Sequence, residues 1–388
     1  MTLKIVVDEN IPLAEAFFSP LAEVVRLPGR TLTAADVRDA DALIVRSVTS
    51  VNEALLAGSK VKFVGTCTIG IDHLDIAYFK RQGIAYSSAP GCNANSVVEY
   101  IFSAFSALNV DWRGKSVGIV GCGNVGGHLY RRLLEFGVNC RCYDPFLSHA
   151  DNVDLCSLDE VLANDIVCLH TPLTLSGPHP TRHLIGTAQL QQLTSGALLL
   201  NAGRGDVIDN QALLSFMQQR QDVQVVLDVW EGEPNINTSL LRLVDLASPH
   251  IAGYSFDGKV AGTEMIYQAL CTHFGIEVTM CAADLVAADL TPLELSAATD
   301  FELMRQAVLA AYDIRGDDAR MREQLQNLPV NQLRQGFDAL RKNYPKRREF
   351  NCFSTVAKTH IEKKSLNNVL ATLGFCTGFE TSKTGVNT

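Results

Sequence analysis

KSVGIVGCGNVGGHLYRRLLEFGVNCRCYDP, residues 115–145, reads in turn as strand, glycine loop, helix and strand. The apolar run at 116–120 stops at Gly121-x-Gly123-x-x-Gly126, a helical pattern occupies about 124–136, and a second strand over 138–143 ends at Asp144. Each glycine has a separate task. Gly121 permits the tight turn, Gly123 lets the backbone approach a pyrophosphate, and Gly126 lets the helix pack on the strand. Asn124 and Val125 open the helix, whose first N–H groups and positive dipole end suit phosphate. Asp144 comes 21 residues after Gly123, where a carboxylate accepts hydrogen bonds from an adenosine ribose and repels a 2′-phosphate. Fingerprint, flanking elements and acid together predict NAD as cofactor.

Outward from that unit, strand patterns recur at DIVCLH (165–170), ALLLNA (197–202) and VQVVLDV (223–229), with helices between them. Upstream the alternation is KIVVD (4–8), a helix near Pro12–Leu21, ALIVRS (42–47), a helix near Asn52–Ala57 and KFVGT (62–66). Strands that alternate with helices predict α/β architecture, with parallel sheets covered on both faces. Ser96–Leu108 places Val97, Tyr100, Ile101, Ala104 and Phe105 at helical spacing and reads as a helix connecting two lobes. A helical pattern over Gly262–Phe274 reads as a return to the first lobe. The expected division is 1–95, completed by the return near 260–284, then 96–259 for the cofactor and 285–388 as a third domain. That last domain shows two helical stretches, Phe301–Tyr312 and Leu333–Asn343, and few strand signals.

Composition bounds the function. With 388 residues, 47% hydrophobic and 19% charged, the chain is ordinary globular protein, long enough for two or three domains. Its net charge of −9 argues against sequence-independent nucleic-acid binding, which depends on Lys and Arg neutralising phosphates. The charge is uneven: residues 301–388 hold 14 Lys and Arg against 9 Asp and Glu, leaving 19 against 33 in residues 1–300. Eleven cysteines without any C-x-x-C fit reduced thiols better than disulfides or a zinc site, so no metal is expected. No apolar run approaches the ~18 residues of a membrane span, and the N-terminal one is too short for a signal segment. The expectation is a cytoplasmic protein with no membrane and no nucleic-acid partner.

Three loops at strand ends carry candidate chemistry. Arg204, in Asn201-Ala202-Gly203-Arg204-Gly205, stands where a guanidinium could grip a substrate carboxylate with two hydrogen bonds, or bridge two loops structurally. Glu233 follows the strand at 223–229, and His250 lies 17 residues beyond it. An imidazole suits proton removal from a hydroxyl at neutral pH, and a neighbouring carboxylate fixes its tautomer. On spacing alone His73, His170 and His183 have similar claims.

NAGRG (201–205), DVWEGEP (228–234) and SPHIAG (248–253), in that order behind GCGNVG, resemble the D-isomer-specific 2-hydroxyacid dehydrogenases. The resemblance extends to VDENIP (7–12), VRSVTSVNEALL (45–56), FVGTCTIGIDHLD (63–75), APGCNANSVVEY (89–100) and HIAGYSFDGKVAGT (250–263). These blocks, with 300–322, are similar to a branch of the family that carries a C-terminal dimerisation extension. The resemblance implies two doubly wound Rossmann-like lobes around a cleft, plus a C-terminal α+β dimerisation domain. It implies Arg204, Glu233 and His250 as the catalytic trio. It also implies NAD contacts at Thr171, Ala202, Gly203, Arg204, Asp228 and Gly253, and substrate contacts at Ser47, Thr68 and Tyr254. The implied partners are a small phosphorylated 2-hydroxy acid, 4-phospho-D-erythronate, oxidised at C2 on the way to vitamin B6, and a second copy of the chain. Alternatives are another enzyme of the family, such as one acting on 3-phosphoglycerate, and a non-catalytic NAD-sensing scaffold. Arg46, beside Ser47, is the first cation expected at the substrate phosphate, with a structural ion pair as its other reading. Lys346, Arg347 and Arg348 could reach across a two-fold interface or form a solvated basic face, and Leu303, Val308 and Leu309 are apolar candidates for that contact.

Overall fold

Runs such as ALIV and LLLN carry no polar alternation, so both of their faces need cover. The computed structural model, which describes residues 3–151, 153–286, 290–297, 299–357 and 363–377, supplies it in two units. The first comprises residues 1–94 and 254–289, the second 95–253 and 290–388.

In the first unit β1 (Leu3–Asp8), β2 (Ala22–Leu27), β3 (Ala42–Val45), β4 (Phe63–Thr66) and β5 (Ala85–Ser87) form a parallel sheet. Its order is β2-β1-β3-β4-β5. One face is covered by Phe17 and Phe18 together with Ile266, Tyr267 and Leu270 of the helix Phe256–Phe274. Val37, Leu55, Leu56 and Phe79 cover the other. The helix near residue 12 is shorter than its pattern, Ala14–Phe18, because the chain turns at Ser19-Pro20 and Ala22–Leu27 pairs with β1 as an edge strand. The return helix starts six residues earlier than its apolar pattern (256 against 262), since Ser255 caps it by accepting from the Gly258 N–H.

The second unit opens with the helix Ala94–Ala107. Its sheet holds β6 (Ser116–Val120), β7 (Asn139–Tyr143), β8 (Ile166–Leu169), β9 (Leu198–Asn201), β10 (Gln224–Leu227) and β11 (Leu246–Ala247). The order is β11-β10-β9-β8-β6-β7, every pair parallel. From β6 the chain crosses to β7 on one side and then to β8 on the other. The loop leaving β6 therefore stands at the point where strand order reverses, the position at which open α/β sheets bind ligands.

The C-terminal residues add β12 (Thr291–Leu295), the helices Asp300–Ala311, Ile314–Leu325, Val330–Lys342 and Lys363–Leu373, β13 (Phe353–Ala357) and β14 (Cys376–Thr377). The three strands form a parallel sheet in the order β12-β13-β14, where the sequence showed few strand signals. Met321, Leu325, Leu333 and Phe337 join the same core as Leu169, Leu199, Leu227 and Trp230. The helix Ile314–Leu325 was absent from the sequence expectation because half of its residues are charged. It is held by Asp318, which accepts from the Ala247 N–H at 2.8 Å, and by Arg322, which donates to the carbonyls of Leu241 and Val244.

Two expectations about the tail need correction. Leu303 and Val308 are buried within their own chain, so they are not apolar positions offered to a partner. Arg347 is also buried, drawn inward by the carbonyls of Ser96 and Ala252, and does not extend toward a second subunit. No helix among the described residues is long and apolar enough to cross a membrane.

Candidate active site

The turn after β6 is built almost entirely from backbone. Gly121 has φ +86°, and a Cβ there would lie 2.8 Å from the Thr171 methyl. A Cβ on Gly126 would lie 1.9 Å from the Gly121 carbonyl oxygen, so the helix Asn124–Glu135 packs on the turn only with glycine at that place. Gly123 is the opposite case. Its Cβ would meet no atom within 4 Å, which leaves an open approach to the first N–H groups of the helix. Gly123 and Asn124 are exposed and Val125 is half-buried.

Asp144, at the end of β7, accepts from the Cys122 N–H at 2.9 Å and from the Phe146 N–H at 3.0 Å. These two bonds set its carboxylate beside the glycine loop, and each oxygen keeps a second lone pair for a ribose hydroxyl. Thr171 follows β8, and its buried hydroxyl has no hydrogen-bond partner among the described residues. Such an orphan costs free energy unless a ligand satisfies it. Open approach, helix N–H groups, carboxylate and unpaired hydroxyl together suit a dinucleotide.

Arg204 sits on the loop after β9. Asn201 shapes that loop, accepting from the Gly203 N–H at 3.0 Å and donating to the Arg204 carbonyl at 3.0 Å. The Arg204 side chain is half-buried and donates to the Gly203 carbonyl at 2.9 Å. Ala202 and Gly203 are half-buried beside it. A Cβ on Gly205 would lie 2.0 Å from the Trp230 carbonyl carbon, so this loop presses directly on the chain leading to Glu233.

The third element is held by a buried carboxylate. Asp228, only 1% exposed, accepts from the Ser248 hydroxyl at 2.5 Å, the Ile251 N–H at 2.8 Å and the Ala252 N–H at 3.0 Å. Burial raises its pKa, against the opposing pull of His250 and these three donors. Its carbonyl accepts from the His250 N–H at 2.7 Å. The Trp230 indole donates to the Ser248 carbonyl at 3.0 Å. Together these bonds hold His250 at φ +58°, a left-handed conformation that a residue with a Cβ adopts only when its surroundings enforce it. In that conformation His250 Nδ1 meets Glu233 Oε1, while Glu233 Oε2 accepts from the Trp230 N–H at 3.2 Å. Burial pushes the Glu233 carboxyl up, but the hydrogen bond and charge of His250, with the Trp230 amide and Arg341, outweigh it. The net result is a carboxyl below its ordinary value.

The remaining histidines separate by their surroundings. His183 Nε2 lies 2.5 Å from Glu231, which also accepts from the Asn210 N–H at 3.0 Å, making a second imidazole–carboxylate pair. His170 has both ring nitrogens buried without a partner among the described residues, and burial lowers its pKa to about 3. His73 bonds Thr66 at 3.0 Å and is lowered by burial. Among the described residues, neither of these two has a carboxylate hydrogen-bonded to its ring.

In the first unit Thr68 Oγ1 lies 2.7 Å from Thr66 Oγ1, which continues to His73, and Ser47 is exposed just after β3. Arg46 Nε is 3.1 Å from the fully buried Asp8, so the ion-pair reading of Arg46 holds. The Arg46 side chain remains 33% exposed. Tyr254 has the Lys259 ammonium 4.8 Å from its ring centre, and Gly253 is half-buried at the end of the second unit's His250 loop. Sequence reasoning missed Ser248 and Tyr100, whose side chains are 2.8 Å apart behind Asp228. The available signal was Ser96, Glu99, Tyr100 and Ser103, polar atoms three or four residues apart in an otherwise apolar helix.

Known proteins resemble the chain in sequence and in fold. The model for the D-isomer specific 2-hydroxyacid dehydrogenase NAD binding domain matches residues 94–252, and a domain of unknown function matches 285–374. Erythronate-4-phosphate dehydrogenase of Cellvibrio japonicus is 54% identical over 377 residues, covering 96% of this chain and 99% of that protein. The Pseudomonas putida protein of the same name is 48% identical over 377 residues, covering 95% and 98%. Among solved structures, NAD-bound 3-phosphoglycerate dehydrogenase of Entamoeba histolytica has a TM-score of 0.60 at 24% identity, covering 71% of this chain and 96% of that one. That last likeness is one of fold.

Proposed function

The chain belongs to the erythronate-4-phosphate dehydrogenases, within the D-isomer-specific 2-hydroxyacid dehydrogenases, and on that footing we propose its reaction. It oxidises the C2 hydroxyl of 4-phospho-D-erythronate to (3R)-3-hydroxy-2-oxo-4-phosphobutanoate with NAD, in the biosynthesis of pyridoxal 5′-phosphate. The observation that carries the catalytic reading is the contact of His250 Nδ1 with Glu233, which leaves Nε2 as the atom to receive the hydroxyl proton. Glu233 holds the ring and stabilises the imidazolium as it forms. Arg204 grips the substrate carboxylate. When bound, NAD supplies the hydride acceptor for C2. Gly121, Gly123, Asn124, Val125 and Gly126 receive its pyrophosphate, Asp144 its ribose, and Thr171, Ala202, Gly203, Asp228 and Gly253 complete its site.

Ser47, Thr68 and Tyr254 contact the substrate. Arg46 joins them at the phosphate through guanidinium N–H donors, with its charge offset by Asp8, a weaker role than that of an unpaired cation. The working form is a homodimer through the C-terminal residues. In support, β12 is an edge strand with largely exposed residues, and Val330 is 77% exposed. The eleven free cysteines suit a reducing cytoplasm.

Rates of NADH formation on 4-phospho-D-erythronate and on 3-phosphoglycerate test the substrate. A preference for the four-carbon acid is expected, and a preference for 3-phosphoglycerate would reassign the enzyme within its family. Binding of NADH with no turnover of any 2-hydroxy acid would make it a scaffold.

A further inference from the structure

The helix Ala94–Ala107 buries a polar stripe, and that stripe joins the catalytic loop to the C-terminal residues. The Ser96 hydroxyl donates to the Ala252 carbonyl at 2.9 Å, and Tyr100 bonds Ser248 at 2.8 Å. The Ser103 hydroxyl donates to the Tyr312 carbonyl at 2.7 Å and accepts from the Ile314 N–H at 3.1 Å. Glu99 accepts from the Phe350 N–H at 2.8 Å and from Asn95 at 2.9 Å, and Asn95 also reaches Glu349 at 2.7 Å. One side chain touches both ends of this connection. The Arg347 guanidinium donates to the Ala252 carbonyl at 2.7 Å, to the Ser96 carbonyl at 2.8 Å and to the Ser96 hydroxyl, and it stacks 4.2 Å from the centre of the Tyr312 ring.

Burying a guanidinium is costly unless its charge is compensated. Here compensation comes from two carbonyls, the face of Tyr312 and the field of the Asp317 carboxylate. The carbonyl it holds belongs to Ala252, two residues after His250. Asp228 grips the same residue by its N–H. The peptide groups that fix the left-handed turn at His250 are therefore clamped from the sheet by Asp228 and from the C-terminal residues by Arg347.

We propose that Arg347 is a positioning residue for the dehydrogenase reaction, a route by which the C-terminal residues set the orientation of His250 against Glu233. The proposal rests on the assignment of His250 as the base. Its mechanism is geometric. Without the clamp on Ala252 the loop samples backbone states in which His250 turns away from Glu233, and misplacement of about 1 Å at a reacting group costs up to ~100-fold in rate.

The test compares wild type with Arg347→Met and Ser96→Ala, measuring kcat across pH, KM for 4-phospho-D-erythronate, NADH affinity by fluorescence and the melting curve. Arg347→Met is expected to lose roughly 10–100-fold in kcat while NADH affinity stays within about threefold, and the acid limb of its kcat–pH profile is expected to move to lower pH as the imidazole loses its carboxylate. Ser96→Ala removes one hydroxyl from the same clamp and is expected to lose about 3–10-fold with the same direction of shift. If Arg347→Met does not fold, Ser96→Ala decides. Wild-type kcat in a folded Arg347→Met or in Ser96→Ala overturns the proposal, as does a loss of kcat with an unmoved pH profile. If instead wild type itself fails to oxidise the substrate, the function reading is what fails.

Discussion

The loop after β6 and the loop after β11 both lie at carboxyl ends of one parallel sheet, yet they are made from different materials. The first is shaped by what is missing from it. Gly121 and Gly126 lack the Cβ atoms that would close the turn, and Gly123 leaves the approach open. The second is shaped by side chains reaching in from a distance: Asp228 from β10, Trp230 from the strand's exit and Arg347 from near the end of the chain. A site built from backbone recognises a phosphate chain that many enzymes share. A site built from side chains can set one proton-transfer geometry, and it depends on more of the molecule to hold it.

That difference makes the two loops separable by mutation. His250→Ala is expected to lower kcat by ~10²–10⁴-fold while NADH affinity stays near wild type, checked by steady-state rates and fluorescence titration. A parallel loss of NADH affinity would show that the loops are one unit. Gly126→Ala should do the reverse. Its methyl would meet the Gly121 carbonyl, so the turn must open at a cost of about 1–3 kcal/mol. NADH affinity should fall roughly 5–150-fold, with the residual kcat at saturating NAD much less affected. Unaltered affinity would place the pyrophosphate elsewhere.

The same difference explains what was legible in the sequence. Glycine spacing is local, so the fingerprint and Asp144 were readable from 31 consecutive residues. The doubly wound sheets were readable for a similar reason, since buried parallel strands are unbroken apolar runs. β2 escaped because AEVVRL is an edge strand with exposed positions, and Ile314–Leu325 escaped because only Ile314, Asp317, Met321 and Leu325 of its twelve residues are buried. The proposed roles of Arg204, Glu233 and His250 were readable from NAGRG, DVWEGEP and SPHIAG only through resemblance. Spacing could not separate His250 from His183, and the structure shows why, because both face a glutamate. Arg347 looked like part of a solvated basic run, Lys346-Arg347-Arg348. The carbonyls that bury it lie 95 and 251 residues away, beyond the reach of any local pattern.

Smaller effects sharpen the contrast further. Asp144→Ala is expected to narrow the preference for NAD over NADP by about tenfold, through loss of both hydrogen bonds and repulsion, leaving the pH profile of kcat unmoved. Equal use of the two cofactors by wild type would mean the carboxylate points away from the ribose. Glu233→Gln is expected to act only on the other loop, lowering kcat modestly and moving the acid limb of the profile to lower pH, because an imidazolium without its anion gives up its proton more readily. Glu233 itself lies below the ordinary carboxylate value, so its contribution to stability is present above about pH 4.5 and is lost only as pH falls through that lowered value. An unshifted profile in Glu233→Gln would show that the pair does not act together.

The most direct test uses 4-phospho-D-erythronate carrying deuterium at C2, incubated with the enzyme and NAD, with the reduced cofactor collected and weighed by mass spectrometry. If the glycine loop holds NAD and His250 takes the hydroxyl proton, the deuterium appears in NADH and the organic product is the 2-oxo acid. Deuterium found in water, or retained in a product formed without NADH, would contradict hydride transfer from C2 and with it the assignment of both loops.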